Sequence, residues 1–285
     1  MRKRLVSLII IGLLLLVPAC SKKKEKASIP LSLELSFQPP ELMDASIVKM
    51  IYKWKPGPNF SLKGNYWVFV HFNDEKKNMY FQDDHKPPIP VDQWKPGEPV
   101  VYERTVVLPE FFDIVDREYF KVKVTIGIWN PDKGESYDVF VKEYSVKINP
   151  LAEEIPFVNY KDGWYEEESN PDGTVTWRWA SKTAICEVEN PKKKVKIFIK
   201  GSFNEKATPG QRVRIFVNDH LIDEITKAPF TKVYEVEPQV LGDEDTFIIK
   251  LVSDKEFVPA EVFKGSKDNR VLAVSINRIF VTLAE

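Results

Sequence analysis

Histidine and cysteine are scarce in this chain: three of the first and two of the second, Cys20 and Cys186, among 285 residues. So few side chains leave few nucleophile and base combinations. The common catalytic signatures are absent too: no Gly-x-Ser-x-Gly elbow, no His-Glu-x-x-His, no phosphate-cradling glycine loop and no Cys-x-x-Cys. A carboxylate pair for glycoside hydrolysis could be drawn from the 42 acidic residues, but nothing in their order selects one. The composition disfavours catalysis, and no cofactor is expected. An excess of basic charge is also missing, since 41 Lys and Arg face 42 Asp and Glu, and this argues against a nucleic-acid partner. Finally, residues 29–150 contain no sustained 3.6-residue hydrophobic period, which excludes an α-helical architecture there.

What is present begins at the N-terminus. Arg2, Lys3 and Arg4 precede an apolar run, residues 5–17, which is too short to cross a bilayer comfortably. That is the layout of a signal peptide. The run ends in Val17-Pro18-Ala19-Cys20, which resembles the lipobox of bacterial lipoproteins. The resemblance implies a signal peptide over residues 1–19, cleavage before Cys20, a thioether-linked diacylglycerol on that cysteine and an acylated new N-terminus. Two or three acyl chains hold a protein stably on a membrane where one would be marginal. Residues 20–28 then comprise the lipidated cysteine and a charged tether. Ser21, where aspartate would favour inner-membrane retention, points to the outer membrane in a diderm cell. With Cys20 carrying lipid, Cys186 has no partner for an intrachain disulfide, and the fold must rest on core burial. Cys186 alternates with Ala184 and Val188 and reads as a small buried residue of a strand.

The remaining chain is read as two all-β units. Residues 31–37 and 48–54 alternate apolar and polar side chains, residues 66–72 are apolar on both faces, and residues 79–82, 100–107, 122–128 and 138–148 complete the set. Seven short strands separated by turns predict an antiparallel, immunoglobulin-like sandwich over residues 29–150. Trp54-Lys55-Pro56-Gly57 recurs as Trp94-Lys95-Pro96-Gly97, which predicts the same proline-glycine turn twice. Residues 151–159 are expected to be a linker. In residues 160–285, strands fit 175–179, 184–188, 195–200, 212–217, 221–225, 233–236, 246–252 and 271–282, with Asn218-Asp219 as a tight hairpin turn. Eight strands without an intervening helix predict two packed sheets of jelly-roll type.

Two clusters could carry chemistry. Gln82-Asp83-Asp84-His85 is the densest polar group, yet its spacing matches no metal motif. No metal site is therefore expected; Asp83, Asp84 and His85 are the residues a metal would use, but the proline-rich surroundings predict a solvated connector whose aspartates cap backbone amides. His71 reads as a core or boundary histidine. The second cluster is aromatic: Tyr160, Trp164 and Tyr165 precede Glu166, Glu167 and Glu168, and Trp177 and Trp179 bracket Arg178. Flat aromatic faces stack on sugar rings while neighbouring acids and arginine hydrogen-bond hydroxyls. Trp164, Tyr165, Glu166 and Arg178 are the expected ligand-binding residues, with Trp164 as an exposed platform and Trp177 and Trp179 in the core.

The pattern Gly163-Trp164-Tyr165, Glu166 to Glu168 and Trp177-Arg178-Trp179, closing with Phe257-Val258-Pro259-Ala260, Asp268 and Arg270, resembles β-sandwich domains appended to bacterial glycosyltransferases and cell-envelope polysaccharide proteins. In the first unit, Phe81-Gln82-Asp83-Asp84-His85 and Trp94-Lys95-Pro96-Gly97-Glu98 are similar to a companion sandwich of uncharacterised envelope proteins. The resemblance implies an envelope glycan context without naming a reaction. The expected protein is thus a non-catalytic, membrane-anchored lipoprotein that binds a polysaccharide. A protein partner in the envelope is the first alternative, and an enzyme acting on polysaccharide is the second.

Overall fold

The structure, a computed structural model, describes residues 29–111, 117–171 and 173–284. Cys20, the expected signal peptide 1–19 and the expected tether lie outside the described residues. Everything described is all-β, built from strands in antiparallel sheets with a few short helical turns.

The first sandwich contains β1 (Leu31–Gln38), β2 (Leu42–Met43), β3 (Ser46–Pro56), β4 (Trp67–Asp74), β5 (Met79–Gln82), β6 (Val100–Leu108), β7 (Tyr119–Asn130) and β8 (Glu135–Lys147). One sheet has the order β1-β3-β6, the other β2-β8-β7-β4-β5. Alternation does what it predicts: Val48, Met50, Tyr52 and Trp54 of β3 are buried and face Val122, Val124, Ile126 and Ile128 of β7 across one core. In β4, Val68, Val70 and Phe72 point into that core. Phe69, between them, is buried on the outer face because its ring lies over Gly127, where an added Cβ would come within 2.5 Å of it.

β2 is too short for a pattern to reveal, and pairs in parallel with β8. Its neighbour Asp44 ties three segments together, accepting from Asn149 N–H at 2.6 Å and Phe111 N–H at 3.0 Å.

The two Trp-Lys-Pro-Gly segments meet, with Trp54 and Trp94 ring centroids 5.3 Å apart. Only the second makes the expected turn: Glu98 N–H bonds to the Lys95 carbonyl and Gly97 has φ 78°. In the first, Pro56 ends β3 and Gly57 N–H instead bonds to the Pro30 carbonyl, so tertiary pairing overrides the local turn preference.

The second sandwich contains β9 (Val158–Tyr160), β10 (Trp164–Ser169), β11 (Thr176–Ala180), β12 (Thr183–Glu189), β13 (Val195–Ser202), β14 (Val213–Val217), β15 (His220–Ile225), β16 (Phe230–Val236), β17 (Thr246–Ser253) and β18 (Val274–Leu283). Its sheets run β10-β11-β18-β13-β16 and β15-β14-β17-β12-β9. Asn218, at φ 50°, opens the two-residue hairpin between β14 and β15. Two departures from expectation concern its start. β9 uses residues of the expected linker, because Val158 pairs with Val188 and Tyr160 with Cys186. β10 is an edge strand whose acidic run hides the alternation, a composition that blunts an exposed edge. Two four-residue helices, α1 (Pro238–Leu241) and α2 (Pro259–Val262), also occur where no helix is predicted, each opened by a proline suited to the first helical turn.

The sandwiches touch through a small apolar seam. Phe198 of β13 and Phe280 of β18, outward-facing in their own sheet, are buried against Val107, with Ile47 and Ile155 beside them. Removing each ring from water contributes about 2 kcal/mol. Near the seam, Lys200 of β13 reaches Asp83 of the first sandwich at 3.6 Å.

Candidate functional site

The expected binding residues of β10 and β11 do not converge. Trp164 is half-buried in a strand: its indole N–H donates to the Ile185 carbonyl at 2.9 Å and its ring meets Tyr160 edge-on at 5.0 Å. The expected exposed platform is therefore a wedge packed against the core. Arg178 lies over the Tyr160 ring at 5.0 Å, with Glu167 at 3.7 Å. Tyr165 belongs to a different group, its hydroxyl bonded to the backbone of Val271 and its ring 5.2 Å from Arg270. Arg270 in turn joins Asp268 and Glu168, the latter at 2.6 Å, so these residues brace a loop. Glu166 points to solvent. Trp177 and Trp179 stand outside the core cluster, half-buried on the face opposite Ala180. The alternation of a strand explains this, because Ala180 takes the inward position.

Asp83 and His85 also depart from the solvated-connector expectation: both are buried, 6% and 5% exposed. The cause lies 21 residues away in β6, where Arg104 bonds Asp83 through both carboxylate oxygens, one contact at 2.7 Å. Burial works to raise the Asp83 carboxyl, but the bonds and charge of Arg104, with Lys200 and His85 adding to them, outweigh it and hold the group at about 2. His85 Nδ1 lies 2.7 Å from the Asp83 carbonyl oxygen, which can only accept, so the proton sits on Nδ1. Nε2 then accepts from the Tyr102 hydroxyl at 2.9 Å, and Tyr102 accepts from Trp54 N–H at 3.3 Å. Burial, and then the nearby Arg104 charge, push His85 down to about 4. It is neutral at physiological pH. Asp84 is exposed and accepts from Val70 N–H, as expected of an aspartate capping a backbone amide, and lies 3.3 Å from His71. Among the described residues no three His, Cys, Asp or Glu side chains converge in a way that could hold a metal ion. Cys186 is fully buried, and burial pushes its thiol up to about 12.

What the residue order does not reveal is a cleft of about 530 Å³ where the sandwiches face each other beside the seam. That is within the usual range for a small-ligand site. One wall is aromatic. Trp67 of β4 and Trp129 of β7 are direct cross-strand neighbours on the outer sheet face, centroids 6.4 Å apart, and Lys86 lies 5.0 Å over the Trp67 ring. Both indole N–H groups are buried and meet no acceptor among the described residues. The opposite wall belongs to the second sandwich and is polar, with Asn170, Thr176, Asn277, Lys200 and Arg278. Asn277 occupies a bulge: Lys200 pairs with Arg278 and Gly201 with Ile276, so Asn277 is the unpaired extra residue. It donates to the Thr176 carbonyl at 3.1 Å. Of its aromatic wall the residue pattern marks only Trp67, inside a run apolar on both faces that reads as a buried central strand; Trp129 falls just past the expected strand 122–128.

No protein-family profile matches the chain, and no curated protein matches it. Solved structures align with the chain at low similarity. SGBP-B from a complex xyloglucan utilization locus in Bacteroides uniformis aligns with 90% of this chain and 74% of its own, at 9% identity and a TM-score of 0.32. The secreted serine protease VesC from Vibrio cholerae aligns over 87% of this chain at 11% identity and a TM-score of 0.23. A Bacteroides uniformis β-glucuronidase aligns over 89% at 9% identity and a TM-score of 0.29. The chain spans 50% of the protease and 30% of the glucuronidase. With these TM-scores below 0.5, the likenesses assign no activity.

Proposed function

We propose that this chain is a non-catalytic envelope lipoprotein, anchored through Cys20, that binds a glycan in the cleft between its two sandwiches. The observation that carries the reading is the pairing of Trp67 with Trp129 on a sheet face that looks across the cleft at amides, hydroxyls and cations. An aromatic floor accepts the apolar face of a sugar ring, and the polar wall fixes its hydroxyls. Each indole N–H meets no acceptor among the described residues, a cost of about 1–3 kcal/mol that a ring rotation toward a ligand oxygen would relieve. The second reading is a protein partner, favoured by Phe157, which is 66% exposed between the units.

The test is calorimetric titration of the full chain in detergent micelles with polysaccharide extracted from the source envelope. Trp129→Ala and Trp67→Ala should weaken binding by about 1–2 kcal/mol, roughly 5- to 30-fold, with Trp177→Phe unchanged as a control. Binding retained in both cleft variants, or absent from a folded parent, rejects the glycan reading and makes affinity capture from solubilised membranes through Phe157 the next experiment.

A further inference from the structure

The charges around the cleft do not balance. Lys200 and Arg278 are direct cross-strand partners of β13 and β18, on the same outward face, and like charges in that position repel. Lys200 finds relief in Asp83 at 3.6 Å, but Asp83 is already committed to Arg104 through both oxygens. Lys86 approaches the same region over the Trp67 ring. Asp84, the other carboxylate on the cleft wall, is committed to Val70 N–H and His71. Arg278 has no carboxylate partner among the described residues and lies over the Phe280 ring at 5.4 Å. The protein around it lowers its basicity from the ordinary value, Tyr160 working the other way, and the guanidinium stays charged. Lys200 and Arg278 thus line the cleft, with Arg104 on Asp83 and Lys86 over Trp67 nearby, while both carboxylates of the cleft wall are already bonded.

We infer that the glycan bound in this cleft is anionic, with an acidic sugar held by Arg278 and Lys200 while a neighbouring ring stacks on Trp129. This inference rests on the glycan reading above. A planar guanidinium fork matches a carboxylate or a sulfate ester through two parallel N–H bonds, and Lys200 adds a second positive charge one strand away. Bulged Asn277 separates Arg278 from Ile276, which keeps Ile276 in the core and Arg278 at the cleft.

The experiment titrates the full chain in micelles with oligomers of polygalacturonate and alginate, each beside its carboxyl-reduced neutral form, and with a sulfated galactan oligomer. The acidic forms should bind about tenfold more tightly than the reduced ones. That preference should fade between about 0.05 and 0.5 M salt. Arg278→Gln should bring the two forms to within about twofold, while Arg278→Lys keeps part of the preference. A sulfated oligomer preferred over the uronates would identify the ester as the anion. Equal binding of acidic and reduced forms, or a preference that survives Arg278→Gln, overturns the charge inference and leaves the glycan reading standing. If no acidic oligomer binds while envelope polysaccharide still binds through Trp129, the inference falls as well. If envelope polysaccharide also fails to bind, both readings fall.

Discussion

Lowering the pH from 7.5 to 5 should cost the first sandwich roughly 2 kcal/mol of stability through a single residue, His85. In the unfolded chain His85 takes up a proton near the ordinary imidazole value of 6.5, whereas in the fold it stays neutral until about 4. Between those values the unfolded state binds more protons, so stability falls as pH falls, by about 1.4 kcal/mol per unit once well inside the window. The cause is visible in the bonding. A proton on Nε2 would confront the Tyr102 hydroxyl that now donates to it, in a buried site shared with Arg104. Asp83, held at about 2 against 3.8 in the unfolded chain, stabilises at neutral pH and loses that contribution only below about pH 4, so the two windows separate. The assay is denaturant unfolding of the full chain at pH 7.5, 6.0 and 5.0, with His85→Gln measured in parallel. The variant should start less stable at pH 7.5, by about 1–3 kcal/mol for the bond partners it strands, and show a flatter slope. A flat parent profile, or a parent slope preserved in His85→Gln, would refute the assignment.

Two further outcomes follow from buried groups. Asp44→Ala strands the Phe111 and Asn149 amides and should destabilise by about 2–4 kcal/mol, read as a lower unfolding midpoint, because one side chain closes both loops around β2. Cys186, with its thiol pushed up to about 12, should resist a thiol reagent in native protein carrying Cys20→Ser and react fully in denaturant; rapid native labelling would contradict its burial.

The strands were readable from residues because most bury one face, and a period of two is hard to imitate. Val48 to Trp54 and Val122 to Ile128 announce themselves this way. Readability failed where that period is short or masked: β2 and β9 have two and three residues, and β10 carries three glutamates in a row. The site was harder for a different reason. Gln82 to His85 stood out as a polar cluster, but its burial depends on Arg104, and no local pattern encodes that pairing. Trp67 stood in a run, residues 66–72, whose apolar character on both faces suggested a central strand, and Trp129 lies one residue past the expected strand 122–128; the register of β4 and β7 places both on the outer face. The cleft exists only where two units meet, so its lining is scattered from Trp67 to Arg278.

β18 carries three obligations at adjacent positions: Ile279 and Val281 fill the second core, Phe280 closes the seam, and Arg278 lines the cleft. Because side chains alternate strictly beyond the bulge at Asn277, a one-residue insertion or deletion after it would send the guanidinium into hydrocarbon and the isoleucine into water, and would undo core, seam and cleft at one stroke. β18 should therefore tolerate exchange of residues within a face far more readily than any change in its length.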